Sequence, residues 1–296
     1  MMNKWLVLLA LLLSCPSYAE SFCTQQHDET ALFHAIEQAK DNSMGDDALR
    51  ANKLSAVFAA CQVPQQLAQL TQLDNKTLHK LLLDINNISF FTLDAKHLAA
   101  QQQVLDEIQQ RGCYVAHLAK QLYRNYVVAR DLAKAHRIKQ AYQLPAISEY
   151  QYQTYSGQGL LRLQQQQLVL QSNATEYPLI VVVGTGCHFS QNFIAWAEQQ
   201  PNVRFWLTQH ALFLLNPRES TALHSIELMQ KQYPWLNLAV AYKRSEWPEI
   251  RSWATPSFYF ASPQGRQSFS GWPDTGNAEL LTRYMEQEGF KEESHM

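Results

Sequence analysis

The 296-residue sequence has little net charge and, after its amino terminus, no long apolar segment. Lysine plus arginine number 24, against 26 for aspartate plus glutamate. There is therefore no basic excess to attract nucleic acid and no acidic tail. Since no later uncharged apolar run approaches the roughly 20 residues that cross a bilayer, we expect no nucleic-acid partner and no transmembrane segment in the mature chain.

Clusters of metal-binding side chains are also missing from the sequence. The ten histidines are scattered, and Cys187 and His188 are adjacent, so no group has the ligand spacing of a zinc site. No internal repeat of solenoid period is visible. We expect neither a metal nor another cofactor.

The amino terminus has the layout of a secretory signal peptide. Lys4 provides a short positive start, and residues 5–13 form an apolar run about half as long as a bilayer span. Ser17-Tyr18-Ala19 places small residues at a cleavage site. We predict a signal peptide over residues 1–19 and a periplasmic or secreted mature chain beginning at Glu20.

A lipoprotein is the alternative at this end of the chain. Leu12-Leu13-Ser14-Cys15 has the form of a lipid-attachment box, in which Cys15 would be the acylated first residue. Pro16, directly after that cysteine, argues against it.

The first half of the mature chain has helical periodicity. From Asp28 to about Tyr142, apolar residues recur at helical spacing, which predicts five or six helices. Asp74-Asn75-Lys76-Thr77 is typical of a break and restart before Leu78, and Thr92-Leu93-Asp94 of the capped start of another helix. We assign residues 20–146 to an all-α domain that resembles no known family and offers a surface for a possible partner protein.

Residues 147–296 alternate between strand-like and helix-like patterns, which predicts an α/β domain with a mixed central sheet and a crossover. The expected strands are Gly159–Leu163, Gln167–Leu170, Leu179–Val183, Val203–Leu207, Leu238–Tyr242, Ser257–Ala261 and Gln267–Ser270. The expected helices are Ser190–Gln199, Ser220–Gln232, Trp247–Trp253 and Ala278–Gln287.

Two motifs in this half carry a family resemblance. Residues 181–190, VVVGTGCHFS, place Cys187 where a strand and a short loop lead into a helix, and Ala254-Thr255-Pro256-Ser257-Phe258 follows later. In this order they resemble the strand, C-x-x-C helix start and cis-proline loop of thioredoxins. The hairpin at residues 160–170 and the turn at residues 263–266 are most similar to the exported TlpA-type branch. The resemblance covers a little under half the chain and implies a thioredoxin-like fold for residues 147–296.

The position of Cys187 has a chemical reason that does not depend on the resemblance. A thiol at the first turn of a helix faces unpaired backbone N–H groups and the positive end of the helix dipole, which favour the thiolate. Thiolate is the form that attacks a disulfide sulfur. Cys187 is therefore the candidate nucleophile. His188 would stabilise the thiolate if protonated, although a histidine there is also an ordinary solvated residue.

The resemblance also implies a substrate groove. In the family, the residue before the cis-proline offers its backbone to an extended substrate in the manner of an added strand. This role falls on Thr255 and Pro256. The alternative is that Thr255-Pro256 only begins a strand, where proline is tolerated.

Three positions depart from the family pattern. Ser190 stands where a resolving cysteine would release an adduct on Cys187. Val181 and its neighbours stand where reductases keep a buried acid, and Gly186 replaces the tryptophan that commonly precedes the cysteine.

Three further cysteines remain in the mature chain. Cys23 precedes the first predicted helix and Cys61 follows the second, so in an antiparallel helix hairpin they lie at the same end and we predict a structural disulfide between them. Cys113 has two interpretations. It is a small buried apolar residue, or it supplies the resolving thiol from the helical domain.

The leading functional hypothesis is an exported thiol-disulfide oxidoreductase that uses Cys187 alone for disulfide exchange, reduction or isomerisation. Its partners would be protein or small-molecule thiols and disulfides. A degenerate thioredoxin-fold binding or assembly module without redox turnover is the main alternative. Peroxide reduction by Cys187 is a third hypothesis, which the absence of a peroxiredoxin-like Thr and Arg pattern disfavours.

Overall fold

The structure, a computed structural model, describes residues 31–113, 116–147, 150–151, 155–263, 265–273 and 275–289. The predicted signal peptide and both Cys15 and Cys23 lie outside these residues. Within the described ranges, no helix is long and apolar enough to span a membrane.

Seven α-helices and a 3₁₀ turn occupy the described part of residues 31–141, rather than the five or six helices expected. They are α1 (Ala31–Asp41), α2 (Asp47–Ala60), α3 (Val63–Leu67), the 3₁₀ turn Leu70–Gln72, α4 (Asn75–Thr92), α5 (Ala95–Gln110), α6 (Ala116–Val128) and α7 (Leu132–Ala141).

The helix starts predicted for α4 and α5 are confirmed, and an aspartate caps each of them. Asp74 precedes α4 and accepts a 2.8 Å hydrogen bond from the backbone N–H of Thr77. Asp94 precedes α5 and accepts one of 2.8 Å from the N–H of Lys96. Each carboxylate satisfies an N–H group that has no carbonyl partner inside its helix.

The chain forms two compact units, and a domain boundary after residue 146 stays a prediction. The first unit comprises the described residues within 31–44 and 48–118, and the second those within 45–47 and 119–289. The second unit thus includes α7 and most of α6. Within this unit, Arg130 Nη2, just beyond α6, donates a 2.6 Å hydrogen bond to the carbonyl oxygen of Tyr242.

The second unit contains a mixed sheet together with α-helices. This architecture confirms the predicted α/β class. Its strands are β1 (Tyr150–Gln151), β2 (Gly159–Gln164), β3 (Gln167–Ser172), β4 (Leu179–Val183), β5 (Ala211–Leu215), β6 (Leu238–Ala241), β7 (Ser257–Phe260) and β8 (Gln267–Ser270). Its further helices are α8 (His188–Glu198), α9 (Pro201–His210), α10 (Leu223–Gln232) and α11 (Thr275–Gln287), with 3₁₀ turns at Pro217–Thr221 and Arg244–Glu246.

The strand order places β4 well inside the sheet. Within the described residues the order is β1-β3-β2-β6-β5-β4-β7-β8. Strands β4, β5 and β6 are parallel neighbours, and β7 pairs antiparallel with β4 and with β8. Parallel neighbours require crossovers, which α8 with α9 and then α10 provide. The chain segments that follow β4, β5 and β6 therefore leave the sheet at one edge.

The strand predicted at Val203–Leu207 is wrong, since these residues lie in α9 and the strand begins only at Ala211. Pro201 is suited to the first turn of a helix, where its missing N–H costs no hydrogen bond. Val203, Trp206 and Leu207 are buried at helical spacing. Five residues of β-prone type were too few to distinguish the two periods.

The helix predicted at Trp247–Trp253 is also wrong. Only the turn Arg244–Glu246 is helical, and residues 247–256 contain no helix. Trp247, Ile250 and Trp253 are buried at a three-residue interval that imitates a helix face. Pro248 disfavours the helical conformation for the residue before it.

One hydrophobic cluster covers a face of this sheet around β4 and β5. Its members are buried side chains from strands and from the segment after the second 3₁₀ turn: Leu160, Ile180, Val182, Leu212, Leu214, Ala239, Ala241, Trp247, Ile250, Trp253 and Tyr259.

The first unit buries two ionisable groups between its helices. Asp84 on α4 is buried, and this burial raises the pKa of its carboxyl to about 6, against a smaller opposing effect of Lys80. His97 on α5 is fully buried beside Phe58, with Nδ1 2.8 Å from Thr92 Oγ1. Burial lowers the pKa of His97 to about 4.

Replacing Asp84 by asparagine should stabilise the protein at neutral pH. The folded-state pKa of about 6 exceeds the ordinary value of 3.8, so ionised Asp84 disfavours folding above pH 6 and this penalty fades as the pH falls from 6 to 3.8. At about 1.4 kcal/mol per pKa unit, the Asp84→Asn gain at pH 7.5 is on the order of 2–3 kcal/mol and is lost near pH 4. Guanidinium unfolding at both pH values measures it.

The matched control is Asp41→Asn, at an exposed aspartate of the same unit. If the two substitutions change the free energy of unfolding equally at pH 7.5, burial of Asp84 is not the cause.

Candidate functional site

The loop that carries the candidate nucleophile, Cys187, follows the carboxyl end of strand β4. All five residues of β4 are buried and apolar, so none of them is the acid found there in reductases. After Val183 the chain makes a turn in which the N–H of Cys187 donates to the carbonyl oxygen of Gly184 at 3.2 Å. Helix α8 begins directly after Cys187.

Cys187 occupies the N-cap position of α8, without a side-chain hydrogen bond of ordinary geometry to the first turn. Its backbone is extended, with φ −89° and ψ 116°, and its carbonyl oxygen accepts a 3.0 Å hydrogen bond from the N–H of Gln191. This conformation places the side chain against the first turn, where the N–H groups of Phe189 and Ser190 have no carbonyl partner inside the helix.

The surroundings of Cys187 favour its thiolate. Partial burial raises the pKa of the thiol, but hydrogen bonding lowers it by more. The contributing groups are the side chain of Thr255, the N–H and hydroxyl of Ser190, and the N–H of Phe189. The net pKa of Cys187 therefore lies below its ordinary value, as the position at a helix start predicts.

The loop before β7 faces the sulfur directly. Cys187 Sγ lies 3.1 Å from the carbonyl oxygen of Thr255, to which the thiol donates a hydrogen bond. The Thr255-Pro256 peptide bond is cis, which confirms the conformation that the family resemblance implied. The candidate nucleophile and the candidate substrate loop are therefore in contact, although 68 positions separate Cys187 from Thr255 in the sequence.

Gly184 permits this close approach. A Cβ atom at this position would lie 3.2 Å from Cys187 Cβ and 3.2 Å from Thr255 Oγ1. Both distances are shorter than ordinary van der Waals contact. A side chain at Gly184 would push the thiol and the Thr255 loop apart.

Ser190 is a fully buried part of the site. Its Oγ accepts a 3.2 Å hydrogen bond from the N–H of Gly184, and its hydroxyl also helps to lower the pKa of Cys187. Serine at the position of a resolving thiol therefore keeps the polar contacts of the site but supplies no second sulfur.

His188 and Phe189 form the exposed surface beside the thiol. The Nε2 atom of His188 lies 3.1 Å from Asn192 Nδ2, one turn further along the exposed side of α8. The structure therefore joins His188 to Asn192, and a catalytic role for His188 stays a prediction. Phe189 is 54% exposed.

Two further groups at the site could not be found from the sequence. Thr185 Oγ1 donates a 2.6 Å hydrogen bond to Glu219 Oε2, which belongs to the 3₁₀ turn after β5. Trp272 lies 5.0 Å from Phe193 of α8, measured between ring centroids, and the N–H of the preceding Gly271 donates to the carbonyl oxygen of Pro256 at 2.8 Å. Only the pairing of β4 with β5 and of β7 with β8 brings these groups to the site.

The described cysteines differ in oxidation state. Cys61 is disulfide-bonded, and the other two described cysteines, Cys113 and Cys187, are free. The partner of Cys61 thus lies outside the described residues, and pairing with Cys23 stays a prediction. Cys113 is partly buried in the first unit, and its sulfur accepts a 3.9 Å hydrogen bond from Asn75 Nδ2. A resolving role for Cys113 is untested by these contacts.

Neither a metal cluster nor a relative offers a guide to function. Within the described ranges, no group of three or more His, Cys, Asp and Glu side chains is placed to hold a metal ion. No family model matches the chain, and no curated protein or solved structure matches it either.

Alkylation should detect the lowered pKa of Cys187. With iodoacetamide, the modification rate of Cys187 should reach half its maximum below the value of about 8.5 for a free cysteine. In Ser190→Ala the midpoint should rise by about half a unit, because the thiolate loses a hydrogen-bond donor. Site-resolved mass spectrometry across a pH series measures both.

Cys113 in the same sample is the internal reference for reagent and temperature. A Cys187 midpoint of 8.5 or higher, or one that Ser190→Ala does not move, would contradict the assignment.

Proposed function

We propose that this chain is an exported thiol-disulfide oxidoreductase-like protein with a thioredoxin-like domain, in which Cys187 acts as a single nucleophile. One observation carries the proposal. The sulfur of Cys187 lies at the first turn of α8, among hydrogen-bond donors that lower its pKa, and 3.1 Å from the carbonyl oxygen of Thr255.

The fold supports the thioredoxin-like part of the proposal. The family resemblance implies a strand, a helix that starts at the cysteine, a parallel strand reached by a crossover, and a final hairpin and helix. Strands β4 and β5, the hairpin β7–β8 and helix α11 follow this order. The predicted signal peptide supports export.

The exchange proceeds in two balanced steps. The Cys187 thiolate attacks one sulfur of a substrate disulfide, so that a new S–S bond forms while the substrate bond breaks. The second substrate sulfur leaves as thiolate and takes a proton from water. An external thiolate then attacks the substrate sulfur of the adduct, so that a new S–S bond forms while the bond to Cys187 breaks and Cys187 leaves as thiolate.

Ser190 determines how the adduct is resolved. A hydroxyl cannot carry out thiol-disulfide exchange, so release of Cys187 requires a thiol from another molecule or from elsewhere in the chain. Reduction and isomerisation of disulfides both fit this scheme. The donors around Cys187 favour exchange over a purely binding role, because a binding module would have no use for a stabilised thiolate.

Removing the thiol should abolish exchange. Cys187→Ser should lower the rate of reaction with bis(2-hydroxyethyl) disulfide by about 100-fold or more, since serine is not an effective nucleophile at neutral pH. The rate is measured with dithiothreitol as the increase over the uncatalysed reaction. Because dithiothreitol itself supplies the resolving thiol, Cys113→Ser should keep the wild-type rate and serves as the matched control. Unchanged turnover in Cys187→Ser would refute the proposal and favour the binding module.

Restoring a second thiol should shorten the life of the adduct. In Ser190→Cys, the new sulfur lies one turn from Cys187 in α8 and can displace the substrate intramolecularly. Mass spectrometry after acid quenching should find the mixed disulfide on Cys187 in the wild-type protein but not in this variant. Ser268→Cys, at an exposed position of β8, should leave the adduct in place; its loss there also would contradict the scheme.

A further inference from the structure

The 3₁₀ turn Pro217–Thr221 reaches the thiol loop from the neighbouring strand. Val183, the last residue of β4, pairs with Leu215, the last residue of β5. The segments that follow these two strands therefore start about 4.8 Å apart. Across this gap, Thr185 Oγ1 donates the 2.6 Å hydrogen bond to Glu219 Oε2.

Thr185 lies at the centre of the turn that carries Cys187. The turn is closed by the 3.2 Å hydrogen bond between Gly184 and Cys187, and Gln191 Nε2 donates to the carbonyl oxygen of Thr185 at 3.2 Å. Gly186 is exposed, and no heavy atom of another segment lies within 4 Å of where its Cβ would be. The bond from Thr185 to Glu219 therefore joins this turn to a separate part of the fold.

Helix α6 and the residues after it hold the 3₁₀ turn in place. Arg218 Nη1 donates to Asn125 Oδ1 of α6 at 3.1 Å. Arg130 Nη1, just beyond the end of α6, donates to Ser220 Oγ at 3.2 Å. Ser220 is fully buried and donates to the carbonyl oxygen of Pro217 at 2.7 Å. These contacts lie on both sides of Glu219 in the sequence.

We propose that Glu219 is a positioning residue for Cys187, which holds the turn Gly184–Cys187 through Thr185 and so keeps the sulfur against the donors of α8. The inference rests on the proposed role of Cys187 as a nucleophile. It also gives α6, which the sequence placed with the helical half, a function in the thiol site.

In this proposal Glu219 acts on Cys187 by fixing the position of the turn Gly184–Cys187, and not through its own charge. The effect of an N–H group on the thiol falls steeply with distance and angle, so a small shift of the turn weakens the contributions of Phe189 and Ser190 to the lowered pKa of Cys187. Thr185 needs only an acceptor oxygen at residue 219, which glutamine also supplies. A purely electrostatic effect of the carboxylate would disfavour the thiolate, so that Glu219→Gln and Glu219→Ala would both lower the alkylation midpoint of Cys187.

The test measures the pH midpoint of Cys187 alkylation by iodoacetamide in the mature protein. Glu219→Ala and Thr185→Val should each raise the midpoint by about half a unit and slow alkylation at pH 7 about threefold. The double variant should be no worse than either single one, because both remove the same bond. Glu219→Gln and Thr185→Ser should stay close to the wild type, and Glu286→Ala, at an exposed position of α11, is the control.

The outcomes separate this inference from the proposed function. A wild-type midpoint in both Glu219→Ala and Thr185→Val overturns it, and so does a Glu219→Gln midpoint raised as much as that of Glu219→Ala. If Glu219→Ala fails to fold by circular dichroism, the pair Thr185→Val and Thr185→Ser decides in its place. Alkylation needs no disulfide substrate, so the result stands even if the protein fails to exchange disulfides.

Discussion

The unsatisfied N–H groups at the start of α8 are the constraint on which the site depends. A helix leaves its first N–H groups without carbonyl partners, and in α8 those of Phe189 and Ser190 contribute to the lowered pKa of Cys187. The other parts of the site keep the sulfur of Cys187 beside these N–H groups. Strand β4 fixes the origin of the helix because all its side chains are buried. Gly184 allows the turn to approach Thr255, and the carbonyl of Thr255 limits where the sulfur can lie.

The motifs that could be predicted from sequence are those whose structure depends only on neighbouring residues. The apolar, β-branched run of β4 followed by Gly-Thr-Gly-Cys specifies a strand, a turn and a helix start within a dozen residues. The aspartates before α4 and α5 act on N–H groups two or three positions away. The contact of Thr255 with Cys187 was accessible only through the resemblance to thioredoxins, since it spans 68 positions.

Features that depend on contacts between separate segments were predicted wrongly or not predicted at all. Residues 203–207 have β-prone side chains, but Phe205 is 66% exposed while its neighbours Trp206 and Leu207 are buried, a pattern that belongs to a helix surface. Assigning β5 too early also hid the turn that follows it. Glu219 could not be connected with Thr185 without the register of β4 and β5, which no local pattern encodes.

The two ionisable groups buried in the first unit have opposite effects on its proton balance. Between about pH 6 and pH 4, the folded protein takes up a proton on Asp84, whose pKa is raised from 3.8. In the same interval the unfolded chain takes up a proton on His97, whose folded pKa is lowered from 6.5. Stability changes with pH only when the two states bind different numbers of protons. Each group alone would make stability depend on pH over this interval, and because their effects have opposite signs, the two partly offset one another.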